Sequence, residues 1–182
     1  MTRLYTLRKP KLLQMHTHPQ KITSHAFFSP GDDCLNTIIA CMDAAEEIIK
    51  ICVFTISDDR ISDAIVRAHK RGITIRIITD NHKLHDAGSD IKELAARGLE
   101  VRIDKTRSHM HHKFAIFDEL RVLTGSYNWT RSAAMRNHEN ILITDNPSIV
   151  QDFSDEFDRL WKDMMRYNPG GRSREVFWER GV

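Results

Sequence analysis

Two short apolar runs in the second half of the chain carry polar residues whose types and spacing suit the binding of a phosphate. His111 and Lys113 are two residues apart at the start of the first run, and Ser126 and Asn128 are two residues apart at the end of the second. In a β-strand, residues i and i+2 point to the same side, so the members of each pair can converge on one group. An imidazole, an ammonium, a hydroxyl and an amide together favour a tetrahedral oxyanion, of which a phosphodiester is the expected form.

The elements that must position these residues are predicted to be two buried strands joined by a turn. Apolar residues fill both runs, and Asp118 and Glu119 separate them. Asp118 lies seven residues after His111 and faces away from it in a continuous strand. We therefore expect Asp118, together with Gly125 in the second run, to support the site and not to take part in the reaction.

The pattern resembles the HxKxxxxD…GSxN signature of the phospholipase D superfamily, and the match is complete at His111, Lys113, Asp118, Gly125, Ser126 and Asn128. The resemblance extends from about Ala26 to Trp161. The chain looks most similar to the small members with a single motif, of the bacterial endonuclease type and the mitochondrial cardiolipin hydrolase (Zucchini) type. Glu139 lies where the family places the acid that orients the nucleophilic histidine.

This resemblance implies a phosphodiesterase that needs neither a metal nor another cofactor. His111 would attack phosphorus and form a phosphohistidine, which water then hydrolyses. Glu139 would hold the other ring nitrogen and set the tautomer. Lys113 and Asn128 would bind the non-bridging oxygens and stabilise the transition state, and Ser126 would donate a further hydrogen bond.

The chain contains a single copy of the motif and therefore supplies the nucleophile but no second histidine to act as the general acid. A leaving alkoxide needs a proton from an acid on the far side of phosphorus, and in the family a second motif supplies it. We therefore expect a homodimer with a shared active site, in which His111 of a second copy donates the proton across a two-fold axis. Two lysines and two asparagines would then replace the carboxylate cluster that a two-metal nuclease requires.

The substrate is less tightly specified than the chemistry, and we expect an endonuclease that cleaves DNA or RNA. Basic residues flank the motif and could follow a nucleic-acid backbone: Lys70, Arg71, Arg76, Lys83, Lys105, Arg107, Arg121, Arg131 and Arg136. Tyr127 and Trp129 could stack on bases, or could equally be buried. The alternative is a phospholipase D acting on a phospholipid such as cardiolipin or phosphatidylcholine, which would need an apolar entry surface. A catalytically idle binding module would not require a nucleophile and its orienting acid.

Composition and length are those of one ordinary domain. The 182 residues carry a net charge of +2, too small to indicate nucleic acid by itself. We divide the chain into an arm (1–22), a phospholipase D-like catalytic domain (23–166) and a tail (167–182). The N-terminal stretch lacks the apolar core of a secretory signal, and no apolar run approaches the roughly 20 residues of a membrane span. We therefore expect a cytoplasmic protein without a transmembrane segment.

The alternation of strand and helix patterns predicts an α/β fold with a mixed, mainly parallel sheet and helices on both faces. The resemblance implies the same α-β-α sandwich. A helix is expected from Asp32 or Asp33 to about Lys50, followed by a buried strand over 51–56. Residues 131–137 are expected to form a loop or short turn. The three cysteines are expected to be buried small hydrophobic residues in a reducing compartment.

Overall fold

The computed structural model describes residues 21–170, and its centre is a mixed eight-stranded sheet with the strand order β1-β9-β7-β6-β2-β4-β5-β10. The strands are β1 (Ser24–Phe28), β2 (Ile48–Val53), β3 (Ile56–Ser57), β4 (Thr74–Thr79), β5 (Glu100–Ile103), β6 (Lys113–Phe117), β7 (Arg121–Gly125), β8 (Trp129–Thr130), β9 (Asn140–Thr144) and β10 (Met165–Arg166). The helices are α1 (Asp33–Ala44), α2 (Asp59–Lys70), α3 (Ile91–Ala96), α4 (Arg131–Met135) and α5 (Pro147–Asp163). The short strands β3 and β8 pair separately.

Local sequence signals explain where the long helices begin. The side chain of Asp58 caps α2 by accepting a hydrogen bond from the backbone of Arg60. Asn146 caps α5 in the same way, and Pro147 occupies the first turn, where its missing N–H costs nothing. Both helices therefore begin at residues whose side chains satisfy the first free backbone N–H groups.

Alternate residues of the central strands build two cores, one on each face of the sheet. On one face, Ile49, Ile51 and Val53 of β2 join the buried side chains of α1, α2 and α3. On the other face, Cys52 of β2 packs with β6 and α5, including Phe114, Ile116, Val150, Phe157 and Trp161. Because both faces of β2 are covered, its sequence is apolar at almost every position.

The α/β class and the helices on both faces are confirmed, but the parallel part of the sheet is smaller than expected. Within the eight-stranded sheet, only the β2–β4 and β4–β5 pairs are parallel. The β6–β7 pair is antiparallel because a short turn joins its strands, and a parallel crossover needs a dozen residues or more. Strands β9 and β1 extend the antiparallel half.

Two element boundaries also differ from the prediction. The first helix ends at Ala44, because residues 48–50 already belong to β2, where their side chains alternate between the two faces. The expected loop at 131–137 contains the short helix α4, which begins where the hydroxyl of Thr130 accepts a hydrogen bond from the backbone of Ala133.

One end of the sheet collects the residues that the sequence singled out. Strands β2, β4, β5 and β7 finish there, and β6 and β9 begin there. We call this edge the site end. The predicted arm and tail lie almost entirely outside the described residues. Across residues 21–170, none of the helices combines the length and the apolar character needed to cross a membrane.

Candidate active site

His111 and Lys113 meet at the start of β6. The ammonium of Lys113 lies 3.0 Å from Nδ1 of His111 and donates to the backbone oxygen of His111 at 2.7 Å. The i and i+2 spacing therefore brings the two groups together, as the sequence predicted. An ammonium can only donate, so this contact favours the neutral ring with Nδ1 as acceptor.

Both groups have a pKa below the ordinary value. Burial lowers the pKa of His111, and the positive charge of Lys113 lowers it further, because both disfavour the imidazolium. Burial also lowers the pKa of Lys113, while the carboxylate of Glu139 opposes that change. Both effects on His111 favour the neutral imidazole over the imidazolium.

Phe54, directly after β2, forms an aromatic floor under this pair. Its ring centroid lies 4.6 Å from that of His111, and the ammonium of Lys113 lies 5.1 Å from the same centroid. Lys83 approaches the ring as well, at 4.9 Å. Sequence reasoning did not single out Phe54, because it stands in an apolar run that resembles any buried strand.

The predicted phosphate-binding residues Asn128 and Ser126 come to the same end of the sheet. The backbone N–H of Trp129 donates to Thr55 at 3.3 Å, which places Asn128 beside the Phe54 segment. Within the described residues, Oδ1 of Asn128 is buried without a hydrogen-bond partner. Such an atom is typical of a functional position, since an unmet polar group is costly in a purely structural role.

Gly125 allows two strands to approach closely at the edge of the site. A Cβ atom on Gly125 would lie 2.0 Å from the backbone oxygen of Asn140. This closeness permits a double link, in which Ser126 N–H donates to the Asn140 carbonyl and Asn140 N–H donates to the Ser126 hydroxyl, each at 3.1 Å. Ser126 is thus tied to β9 and is also exposed toward solvent.

Glu139 lies at the site end, immediately before β9. Its carboxylate accepts a hydrogen bond from Asn137 at 3.1 Å, and its backbone N–H donates to Ser29. Its charge acts on Lys113. Within residues 21–170, Glu139 makes no hydrogen bond to His111. The orienting role that the resemblance implies therefore stays a prediction.

Asp118 lies at the far end of the sheet from His111. Its carboxylate accepts three backbone N–H groups, from Glu46, Glu47 and Ile48, at 2.8–2.9 Å. Burial alone would raise the pKa of Asp118, but these donors stabilise the carboxylate and the pKa falls below its ordinary value. The position agrees with a supporting role, because Asp118 fastens the β6–β7 turn to the start of β2.

Asp80 and His109 form a second polar pair at the site end. Asp80 is fully buried at the end of β4, and its carboxylate lies 3.1 Å from Nδ1 of His109. His109 and His111 both contact the Phe54 ring, whereas His112 lies 3.7 Å from Glu156 on α5. The sequence analysis did not identify Asp80. A carboxylate directly after a buried parallel strand could have indicated it, because binding sites of α/β folds lie at the carboxyl ends of such strands.

The features expected to bind nucleic acid are weaker in the structure. Tyr127 and Trp129 are 1% and 0% exposed, so they are core residues and cannot stack on bases. Four of the flanking cations form ion pairs with acids: Arg71 with Asp43, Lys83 with Asp86, Lys105 with Asp163, and Arg131 with Asp59. Residues 21–170 also contain no group of three or more His, Cys, Asp or Glu side chains that could hold a metal ion.

Comparison with known proteins identifies the family. The family described as "Cardiolipin synthase, PLD-like domain" matches residues 38–161, which is more than half of the chain. The chain belongs to the phospholipase D-like family. The resemblance noted from the motif is thereby confirmed, and so is the superfamily of phosphodiesterases to which the chain was assigned.

The individual relatives are cardiolipin hydrolases among curated sequences and a phospholipase D family member among solved structures. The chain is 42% identical over 137 residues to a mitochondrial cardiolipin hydrolase from Chlamydomonas reinhardtii, covering 75% of this chain and 61% of that protein. It is 37% identical over 139 residues to the Homo sapiens protein of the same name, covering 76% and 54%. The chain thus spans less than two thirds of the length of these relatives. Among solved structures, Nuc from Salmonella typhimurium, titled a phospholipase D family member, matches with a TM-score of 0.76 and 25% identity, covering 81% of this chain and 99% of that one.

The expectation of a cytoplasmic protein is wrong on this comparison. Relatives from an alga, a frog and a human are all named mitochondrial, which points to mitochondria. The expectation rested on the lack of a recognisable leader in the sequence. Composition near a chain end is a weak guide to compartment.

Proposed function

We propose that this chain is a metal-independent phosphodiesterase that works through a phosphohistidine on His111, and that its substrate is a phospholipid diester. The observation that carries the reaction is the contact of His111 with Lys113 over Phe54, at an end of the sheet that also holds Asn128. A neutral imidazole beside an ammonium provides a nucleophile and an anchor for the anionic phosphate.

Substrate binding would change the partner of Lys113. While the ammonium donates to Nδ1, the neutral ring of His111 carries its proton on Nε2, which then cannot attack. A bound phosphate oxygen draws Lys113 away, and Nδ1 can then take the proton and hold it toward a carboxylate such as Glu139. Nε2 is left with a free lone pair directed at phosphorus.

Two observations favour a phospholipid over nucleic acid. Phe28 and Met135 are 65% and 67% exposed, and both flank the site end, where Gly31 N–H donates to the carbonyl of Ala134. Exposed large apolar side chains at the same end of the sheet as a phosphate site suit a substrate that carries acyl chains. The relatives named cardiolipin hydrolase, at 37% and 42% identity, support the same substrate class.

An endonuclease is the second candidate. Arg107 and Arg136 are exposed near the site and could contact a nucleic-acid backbone. The burial of Tyr127 and Trp129 removes the proposed stacking surface, so any such binding would rely on the backbone alone. It would therefore weaken steeply as salt is raised.

The decisive assay uses EDTA and two substrates in parallel. Cardiolipin vesicles and a single-stranded oligonucleotide are each incubated with the wild-type protein and with His111→Ala. We expect conversion of cardiolipin into phosphatidic acid and phosphatidylglycerol. This activity should be lost by at least a factor of a thousand in His111→Ala and largely retained in His112→Ala, whose side chain lies toward α5. Cleavage of the oligonucleotide alone would assign the endonuclease, and activity of His111→Ala near the wild-type rate would refute the mechanism.

The homodimer with a shared site belongs to the same proposal. The leaving oxygen needs an acid, and His111 of a second copy is expected to supply it. Wild-type protein is mixed with His111→Ala and allowed to exchange subunits. Specific activity should then fall by more than dilution explains, since mixed dimers lack one of the two imidazoles. Activity in strict proportion to wild-type subunits would contradict the shared site.

A further inference from the structure

One buried serine fastens the short connection that carries Glu139. Residues 136–139 join α4 to β9, so Glu139 precedes the first residue of the strand. Ser29 is 6% exposed, and its backbone N–H donates to the carbonyl of Glu139 at 3.0 Å. Its hydroxyl donates to the carbonyl of Asn137 at 2.9 Å and accepts the N–H of Glu139 at 3.1 Å. The side chain of Ser29 therefore bonds to the backbone on both sides of His138.

The carboxylate of Glu139 has a partner of its own in the same connection. Nδ2 of Asn137 donates to Oε1 of Glu139 at 3.1 Å. The hydroxyl of Ser29 holds the backbone of both residues that form this side-chain bond. A side chain on a connecting segment would otherwise keep much of its conformational freedom. The carboxylate of Glu139 is thus restrained both at its backbone and at its tip.

The restrained carboxylate acts on the cation of the site. Burial lowers the pKa of Lys113, and the negative charge of Glu139 opposes that change. The interaction between two charges weakens as the distance between them grows. A carboxylate that could turn away would therefore stabilise the ammonium of Lys113 less, and would also be less available to an imidazole.

We propose that Ser29 and Asn137 are positioning residues that hold the carboxylate of Glu139 in its working orientation at the active site. The inference rests on the proposed function, because it needs a reaction in which Glu139 takes part. Both residues act through Glu139 and are assigned no contact with the reacting atoms. A misplacement of about 1 Å can cost about 10²-fold in rate, which sets the upper size of the expected effect.

The test is a double-mutant cycle on the hydrolysis of bis(4-nitrophenyl) phosphate, a diester that is neither a lipid nor a nucleic acid. Ser29→Ala removes the hydroxyl but keeps the backbone hydrogen bond, and it should lower kcat/KM by about 10- to 100-fold. In a Glu139→Ala background there is no carboxylate to position, so the same change should cost less than about twofold. The matched control is Ser24→Ala, whose hydroxyl lies 2.7 Å from that of Thr144 at the far end of the β1–β9 pair and which should keep wild-type kcat/KM.

A pH profile and a second variant separate positioning from a general loss of structure. Lys113 must be charged to bind phosphate, so the alkaline limb of kcat/KM should move to lower pH in Ser29→Ala and in Glu139→Ala. Asn137 is exposed, and Asn137→Ala should reproduce both effects; it carries the cycle if Ser29→Ala does not fold.

The outcomes that count against the inference differ from those that count against the proposed function. An unchanged kcat/KM in Ser29→Ala, an equal loss in both backgrounds, or an alkaline limb that stays in place overturns the positioning role. Wild-type activity in Glu139→Ala, or no turnover by the wild-type protein, overturns the proposed function instead.

Discussion

Replacing Gly125 with alanine should push strands β7 and β9 apart at the edge of the site. The new Cβ would lie 2.0 Å from the carbonyl oxygen of Asn140 and 2.9 Å from Cα of Ile141, and all of these contacts are backbone atoms that cannot rotate away. The strands must separate by more than about 1 Å to reach ordinary contact. Overpacking of this kind costs about 1–3 kcal/mol. The two hydrogen bonds that link Ser126 to Asn140 would add about 1 kcal/mol each if lost.

The expected destabilisation of Gly125→Ala is therefore about 2–5 kcal/mol. For a domain of this size that corresponds to a fall in Tm of roughly 5–15 °C. Thermal unfolding followed by circular dichroism measures it, with Gly170→Ala as the control, since no atom of residues 21–170 other than its chain neighbours lies within 4 Å of a Cβ at Gly170. The control should change stability by less than about 0.5 kcal/mol. A Gly125→Ala protein that melts with the wild type would refute the close approach of the two strands.

Three further outcomes follow from the charges and thiols. Asp118→Asn should lower the free energy of unfolding by about 1–2 kcal/mol at pH 7, measured by denaturant unfolding. Because the pKa of Asp118 is lowered in the folded state, this stabilisation is full above the ordinary pKa of 3.8 and is lost as the pH falls through the folded pKa. Equal stability of the wild type and the variant at pH 7 would contradict the role of Asp118. Lys113→Met should raise the pKa of His111 in an NMR titration, because a neighbouring positive charge is removed, and a fall would contradict the assigned cause. The native protein should react with a thiol reagent only on unfolding, because Cys34, Cys41 and Cys52 are all buried. Burial also raises the pKa of Cys41 to about 11, which disfavours its reactive thiolate. Rapid labelling of the native protein would contradict this.

The sequence was most informative where chemistry depends on period and spacing. The two-residue step from His111 to Lys113 determines that both side chains leave β6 on one side, whatever surrounds the strand. The position of Asp118 relative to His111 likewise indicated that it points away from the reaction. Helix starts are local in the same way, since Asp58 and Asn146 cap α2 and α5 with side chains that bond only two residues along the chain.

Features that depend on packing between distant segments were not accessible from the sequence. Tyr127 and Trp129 have the side chains of a base-stacking surface, and only the folded structure shows that both are buried in the core. The pairing of Asp80 with His109 joins residues 29 positions apart through the end of β4. The share of antiparallel strands was missed for a similar reason, since strand patterns report burial and do not report direction.

The β6–β7 turn, with φ of +54° at Asp118 and +55° at Glu119, is remote from His111, so the proposed activity can be lost in two distinct ways. Asp118 stands a full strand length, about 16 Å, from Lys113, and what it secures is the attachment of one chain segment to another. Damage there should reduce the number of native molecules in a cell while each survivor keeps its turnover rate. Substitution of His111 should have the opposite effect: the abundance of folded protein stays normal, but each molecule is inactive.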